Sequence, residues 1–503
     1  MRYYFTICLL LSALQTTFGQ DSLKVQLEQG WSPRVRYNNF MLVNPAIRSW
    51  YDMPYYTELV AEFDLSDGKA TIQQEGTHNK RSMLSVQTSQ KMGREKRIWG
   101  NVAYVNGKKD GVRWNESADY ATIYPYVIAD TVGRSNLQHE KYLFSGGYAQ
   151  LNGRIGYGIQ IDYSALKEYR SIDPRPNNTV SNLYLKGGLT YGLNENYTVG
   201  VGGFWQKYKQ DNIIQFRSQI GIPMVYHASG LGSDMYLFSG KAQAYTTLYD
   251  GSGYDINIQL FPTRNNGWGV NVEYSNFSYK KELNNLLYLP VSSLKNSNYK
   301  LMMTYQRGNS RSWKGVKLEL DYQKRNGIEN IFYVPQTDIY EEISTVEMYV
   351  HDLYSGIISF SYGITGRSSW VFTPFIGIND SKETYKEPSR KMSFTNLRYG
   401  LQAHALLKQK RVLIRPEIRL LLNNNLNKEW LMTDLPKASY VYGVYKDNYT
   451  YLTENSFSLK ANVRSDYMFG SKYALFFKIE GEYASYTQAL HYSNFSIACG
   501  FVF

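Results

Sequence analysis

The sequence predicts an all-β chain, a transmembrane antiparallel up-and-down β-barrel of about 18 strands, with 16 as the other count. Three observations lead there. Apolar and polar residues alternate with a period of two through most of the chain after residue 56. Of 503 residues, 47 are Tyr, 22 Phe and 9 Trp, yet mean hydropathy is only −0.44. Short turns also alternate with long connections, the asymmetry of a barrel whose two ends face different compartments.

The first 20 residues read as a secretory leader: Met1-Arg2, an apolar run from Tyr4 to Leu14, then Thr17-Phe18-Gly19 before Gln20. Cys8 lies inside the apolar run, too far from the small residues to accept a lipid. Residues 21–55 do not alternate and hold Trp31, Pro33, Asn44-Pro45-Ala46 and Trp50. They are expected to form a periplasmic or lumenal segment, in the sharper reading one that plugs or caps the lumen. The Asn-Pro-Ala triplet resembles the N-terminal hatch of fatty-acid-transporter-type barrels. Residues 56–503 are expected to form the barrel.

The later strands carry the pattern most clearly. In 411–422, Val412, Ile414, Ile418, Leu420 and Leu422 oppose Arg411, Arg415, Glu417 and Arg419. An ordinary apolar core would strand those arginines, whereas a lumen solvates or pairs them. In 473–483, Tyr473, Leu475, Phe477, Ile479 and Tyr483 oppose Lys478, Glu480 and Glu482; in 316–322, Val316, Leu318, Leu320 and Tyr322 oppose Lys317, Glu319 and Asp321. Tight turns are expected at 92–96, 152–153, 194–196, 263–267, 307–312, 365–369, 408–410 and 469–472, several with the Asn, Gly or Ser that hairpins need. Hairpins at each of these, plus one unpaired strand at either end, give the count of 18. Long outer loops are expected near 107–140, 169–180, 210–237, 281–297, 325–354, 381–390 and 424–455.

At its end the chain reads F-S-I-A-C-G-F-V-F from Phe495 to Phe503. Phe495, Ile497, Cys499, Phe501 and Phe503 share one face, against the small Ser496, Ala498 and Gly500. This resembles the C-terminal signal strand by which outer-membrane barrels are recognised for assembly. The resemblance implies the barrel-assembly machinery as a partner and pairing of the last strand with the first.

Composition excludes other classes. No run of roughly 20 apolar residues follows the leader, so helical spans are not expected. Without its leader the chain keeps only Cys499, which rules out a disulfide framework. The six histidines, His78, His139, His227, His351, His404 and His491, form no metal motif, and no metal or cofactor is expected. A formal charge of +12 is scattered and accompanied by no nucleic-acid motif; outer-membrane lipid and lipopolysaccharide suffice as its anionic partner.

Candidate ligand groups are lumenal Arg398, Arg415, Arg419, Lys460 and Arg464, on three consecutive strands. They read either as a positive wall that biases a channel toward anions or as cations neutralised by Glu417, Asp466, Glu480 and Glu482. Loop residues Tyr440, Tyr442, Tyr445, Tyr449 and Tyr451 offer rings that stack on a ligand or pack the loop. His491-Tyr492-Ser493-Asn494 resembles the His-x-Ser-Asn element of outer-membrane phospholipase A, which would make His491 and Ser493 catalytic; interfacial side chains beside lipid head groups are the ordinary expectation, and the chain is not expected to be an enzyme.

Taken together, the leader ending near Gln20, the Tyr-rich alternating strands and Phe501-Val502-Phe503 resemble the single-barrel outer-membrane proteins of the Bacteroidota often encoded beside TonB-dependent receptors. The resemblance marks a class without specifying a substrate; the function expected is a passive channel or accessory uptake protein for a small or amphipathic solute. A non-conducting scaffold for a surface lipoprotein or TonB-dependent receptor is the alternative.

Overall fold

The computed structural model describes the chain except residues 1–21, 52–53, 94, 134, 219–220, 243, 310 and 334–339. The expected leader therefore lies outside the described residues. Alternation produces 21 strands: β1 (Thr57–Gly68), β2 (His78–Met92), β3 (Lys96–Asp110), β4 (Ile128–Asp130), β5 (Leu137–Asn152), β6 (Ile155–Tyr169), β7 (Arg175–Gly192), β8 (Tyr197–Gln215), β9 (Val225–Gly230), β10 (Ser233–Asp234), β11 (Ala244–Pro262), β12 (Gly267–Leu283), β13 (Leu289–Gly308), β14 (Ser312–Tyr333), β15 (Glu341–Ile364), β16 (Ser368–Tyr385), β17 (Arg390–Lys408), β18 (Val412–Met432), β19 (Ser456–Phe469), β20 (Tyr473–Tyr486) and β21 (His491–Val502). Eighteen of them form one closed antiparallel sheet, while β4, β9 and β10 form a separate small one. Closure is the pairing of β21 with β1, in register from Glu58↔Val502 to Gly68↔Tyr492.

Every tight turn expected from the sequence joins a hairpin at one end of the barrel. At the other end four expected loops, 169–180, 281–297, 325–354 and 381–390, are mostly strand: β14 continues to Tyr333 and β15 begins at Glu341. The reason is that the strands outrun the apolar band, so their outward residues turn polar while the ladder continues. On β14 the outward series is Lys314, Val316, Leu318, Leu320, Tyr322, Lys324. From Lys314 to Lys324 is roughly 33 Å of strand at about 3.3 Å per residue, or roughly 25 Å of height at a tilt near 40°, the height of a membrane-spanning band. Tyr254, Tyr274, Tyr299, Tyr322 and Tyr354 make ring contacts from strand to strand along the upper edge of that band, with centroids 4.4–6.1 Å apart. Cys499 is exposed on the outer face.

Three connections, 111–136, 216–243 and 433–455, are long, and their described residues pack into the long-loop mouth as a cap. The cap includes helices α3 (Tyr120–Ile123) and α4 (Tyr440–Thr453) and the small sheet. Trp114, Ile123, Tyr126, Leu231, Val444 and Tyr445 share one core with inward side chains of the wall, among them Tyr208, Tyr249, Tyr279, Tyr349 and Tyr385. The short-turn mouth is crossed by the N-terminal segment, with helices α1 (Leu23–Gly30) and α2 (Pro33–Arg36) followed by two 3-10 turns, Asn39–Val43 and Pro45–Ser49.

Candidate functional site

The N-terminal segment is held to the short-turn rim by its polar groups. Leu23 N–H donates to the Ser471 carbonyl at 2.8 Å, Lys24 Nζ to that of Gln409 at 2.8 Å, and Arg34 to Asn309 O and Asn266 Oδ1 at 2.7 and 2.8 Å. Leu23 and Leu27 bury against Leu413, Phe476, Ala498 and Val502 of the wall beside the closure seam. Across the lumen the stretch Asn44–Trp50 lies directly on the wall. It can approach so closely because inward positions of β6, β7 and β8 are glycine. A Cβ on Gly158 would stand 2.6 Å from Ala46 N, one on Gly188 1.9 Å from Asn44 Oδ1, and one on Gly192 2.7 Å from the Trp50 ring. Asn44 Oδ1 accepts from Ala46 N–H at 3.0 Å, fixing the turn, and Trp50 Nε1 donates to Thr190 Oγ1 at 2.8 Å. The Asn-Pro-Ala triplet thus sits on a glycine bed as part of a lumenal plug.

Beside the plug lies a chamber of about 860 Å³, walled by the plug's Trp31, Arg36 and Tyr37 and by inward residues of β1, β2 and β14–β21. Trp31 lies between two of the basic residues singled out in the sequence: the Arg415 guanidinium stacks on its ring, and that of Arg464 stands 4.9 Å from the centroid. Both are also ion-paired. Asp466 accepts from Arg415 at 3.1 Å and Arg464 at 2.8 Å, and Arg464 pairs with Glu58 as well. Lys460 lies against Glu480 at 2.5 Å. Arg398 donates to Asn423 Oδ1 at 3.4 Å and does not line the chamber. Arg419 lines it, 5.1 Å from the Phe375 ring centroid. The five side chains form no continuous positive wall; acids neutralise three of them.

The five tyrosines expected in a loop lie on α4 instead. Ser439 caps that helix by accepting from Tyr442 N–H at 3.2 Å. Tyr445 and Tyr449 are buried in the cap core, Tyr440 meets the Arg113 guanidinium at 5.2 Å, Tyr442 packs edge-on against Trp430, and Tyr451 packs against Tyr486. Ser493 Oγ donates to the Asp67 carbonyl at 3.3 Å, and His491 is exposed; among the described residues no hydrogen bond joins the two.

Sequence reasoning missed the polar lock of the cap. Arg170 donates to both oxygens of Glu116, at 2.6 and 2.7 Å, in a pair with almost no exposure. Asn178 and Asn212 each donate to the Glu116 carbonyl at 3.0 Å. Burial, with Asp130 close by, pushes the Glu116 carboxyl up to about 8. Tyr249 Oη donates to Tyr126 O at 2.8 Å and Arg325 to Thr122 O at 2.8 Å, so α3 and its flanks are tied to strands around the wall. No group of three or more His, Cys, Asp or Glu suited to a metal occurs among the described residues.

A family described as a family of unknown function (DUF6850) matches residues 45–503. No curated protein matches. Among solved structures, the siderophore receptor PiuA of Acinetobacter baumannii is similar at 7% identity and a TM-score of 0.38, over 89% of this chain and 82% of that chain. The copper transporter OprC is similar at 8% and 0.39, over 89% and 81%. The ferric-catecholate import receptor Fiu of E. coli is similar at 8% and 0.38, over 89% and 82%.

Proposed function

The chain belongs to the DUF6850 family of unknown function, and from that premise we propose that it is an outer-membrane uptake barrel, closed at rest, passing a small amphipathic solute without ATP. The N-terminal plug is its displaceable gate and the cap sets access from outside. One observation carries this reading: the plug is seated by close approach to glycines, by rim hydrogen bonds and by two small apolar clusters, around Leu23 and Leu27 and around Met41 and Ile47, with a chamber left beside it. Such a contact separates without tearing apart a large core. The cap, by contrast, shares an extended aromatic core with the wall.

That core favours a second reading, a non-conducting scaffold for a surface lipoprotein or receptor. Planar-bilayer recording separates the two. The uptake barrel conducts little as isolated and opens when the plug is displaced by 4 M urea or by substitution under it; a scaffold stays silent under every condition.

A further inference from the structure

Most of the chamber's charges are ion-paired; two guanidiniums and the Glu417 carboxylate are not. Among its lining acids, Glu58 pairs with Arg464, Glu62 with Arg81 at 3.8 Å, Glu319 with Lys317, and Glu480 with Lys478 at 2.9 Å. Glu417 accepts from Gln402 at 2.7 Å and Asn462 at 3.2 Å. Arg415 and Arg464 share Asp466. Two cations remain, Arg36 from the plug and Arg419 from β18. Both are exposed within the lumen, and among the described residues neither has an ion pair or a side-chain hydrogen bond; Arg36 stands 5.4 Å from the Trp31 ring and within electrostatic reach of His404, Arg419 5.1 Å from the Phe375 ring and within reach of Arg398.

An unpaired guanidinium offers a planar fork of donors that a carboxylate matches. Glu417 lies two residues from Arg419 on the same inward face, so the two guanidiniums and this carboxylate carry a net charge near +1. That suits a monoanion better than a dianionic phosphate. Trp313, Tyr37, Val371, Ile357 and Phe375 line the same space and suit an apolar body.

We propose that the chamber binds a small amphipathic monocarboxylate, its carboxylate between Arg36 and Arg419 and its apolar part against the aromatic side. The inference rests on the uptake reading only in taking the bound solute to be the one transported. Because one guanidinium belongs to the gate and the other to the wall, the solute bridges them and is released when the plug leaves.

The test is calorimetric titration of the full chain in detergent with 3-phenylpropionate, 3-phenylpropanamide and 3-phenylpropylammonium, each corrected for partition into empty micelles. The carboxylate binds at least about tenfold tighter than the amide, the range of a charge-assisted hydrogen bond, and the ammonium binds weakest. Arg419→Gln and Arg36→Gln each bring the carboxylate to the level of the amide, whereas Arg419→Lys keeps part of the preference. Equal binding of acid and amide, no binding of the acid, or an unchanged preference in both Gln variants overturns the site. Conductance of a plug-loosened variant is read in parallel. Carboxylate binding with no conductance removes the uptake reading and leaves the site; conductance with no carboxylate preference does the reverse.

Discussion

Gly158→Ala tests the seat of the plug where the structure makes the arithmetic simple. The added Cβ would lie 2.6 Å from both Ala46 N and Pro45 C. Ordinary contact is about 3.5–4.0 Å, so the plug backbone must retreat by about 1 Å. Neither atom belongs to a flexible side-chain end, so the overlap cannot be relieved by a rotamer change. Overpacking of this kind costs roughly 1–3 kcal/mol, which shifts a seated-to-released equilibrium about 5- to 150-fold. The strand itself loses nothing, since Ala is at least as good as Gly in a ladder. Ser49→Cys in a Cys499→Ser background reports release: Ser49 belongs to the plug and is buried against the wall while the plug is seated, so its modification by a water-soluble maleimide accelerates by that factor, and single-channel open time rises with it. Gly187→Ala, whose Cβ would meet nothing within 4 Å, leaves both readings unchanged. Unaltered protection in the Gly158→Ala and Gly188→Ala double variant would refute the reasoning.

Other substitutions probe the remaining parts. Trp31→Ala removes the ring between Arg415 and Arg464 and should lower plug occupancy by about 1–2 kcal/mol, seen as more frequent openings in bilayer recordings. Asp466→Asn strips two buried guanidiniums of a shared partner and leaves only Glu58 beside Arg464. A broken buried pair costs roughly 3–5 kcal/mol, so the temperature at which the barrel loses its heat-modifiable gel migration should fall clearly; an unchanged temperature contradicts the lumenal pairing. The Glu116 carboxyl sits near 8 against an ordinary value of about 4.3. The folded cap therefore holds a proton that the opened cap releases. Its stability is full below pH ~4 and declines as pH rises through about 8. Hydrogen exchange across 115–130, corrected for intrinsic rates, should report easier opening at pH 8.5 than at pH 5, and Glu116→Gln should flatten the trend; a trend of opposite sign contradicts it.

Much of the barrel was legible because lipid imposes a strict rule on every second residue. Val316, Leu318, Leu320 and Tyr322 had to be outward once Lys317, Glu319 and Asp321 were seen between them. The rule lapses beyond the band. Lys324 and Asn326 face water on β14 just as loop residues would, so a strand that continues to Tyr333 looks like a loop. Helix α4 was concealed for another reason: its tyrosines also satisfy girdle statistics. Its signals were Ser439 as a cap and the helical spacing of Val441, Val444, Tyr445, Asn448 and Tyr449. The plug seat left a trace that composition hides, glycine at inward i and i+2 positions in 156–158 and 200–202, flanked by the large outward Ile155, Tyr157, Ile159, Val199 and Val201. Which arginines stay unpaired could not be read, because strand-to-strand register decides whether Asp466 or nothing stands beside each one.

The most direct measurement is collisional accessibility of spin labels on the barrel in lipid bilayers. A label on Cys499 should be relaxed by oxygen and shielded from a water-soluble nickel chelate. A label at Glu319→Cys in a Cys499→Ser background, on the chamber wall, should not share that oxygen-dominated signature and should gain nickel accessibility when Gly158→Ala loosens the plug. Oxygen-dominated relaxation at both positions, or nickel access at 499, would contradict a lipid-facing exterior around a gated interior.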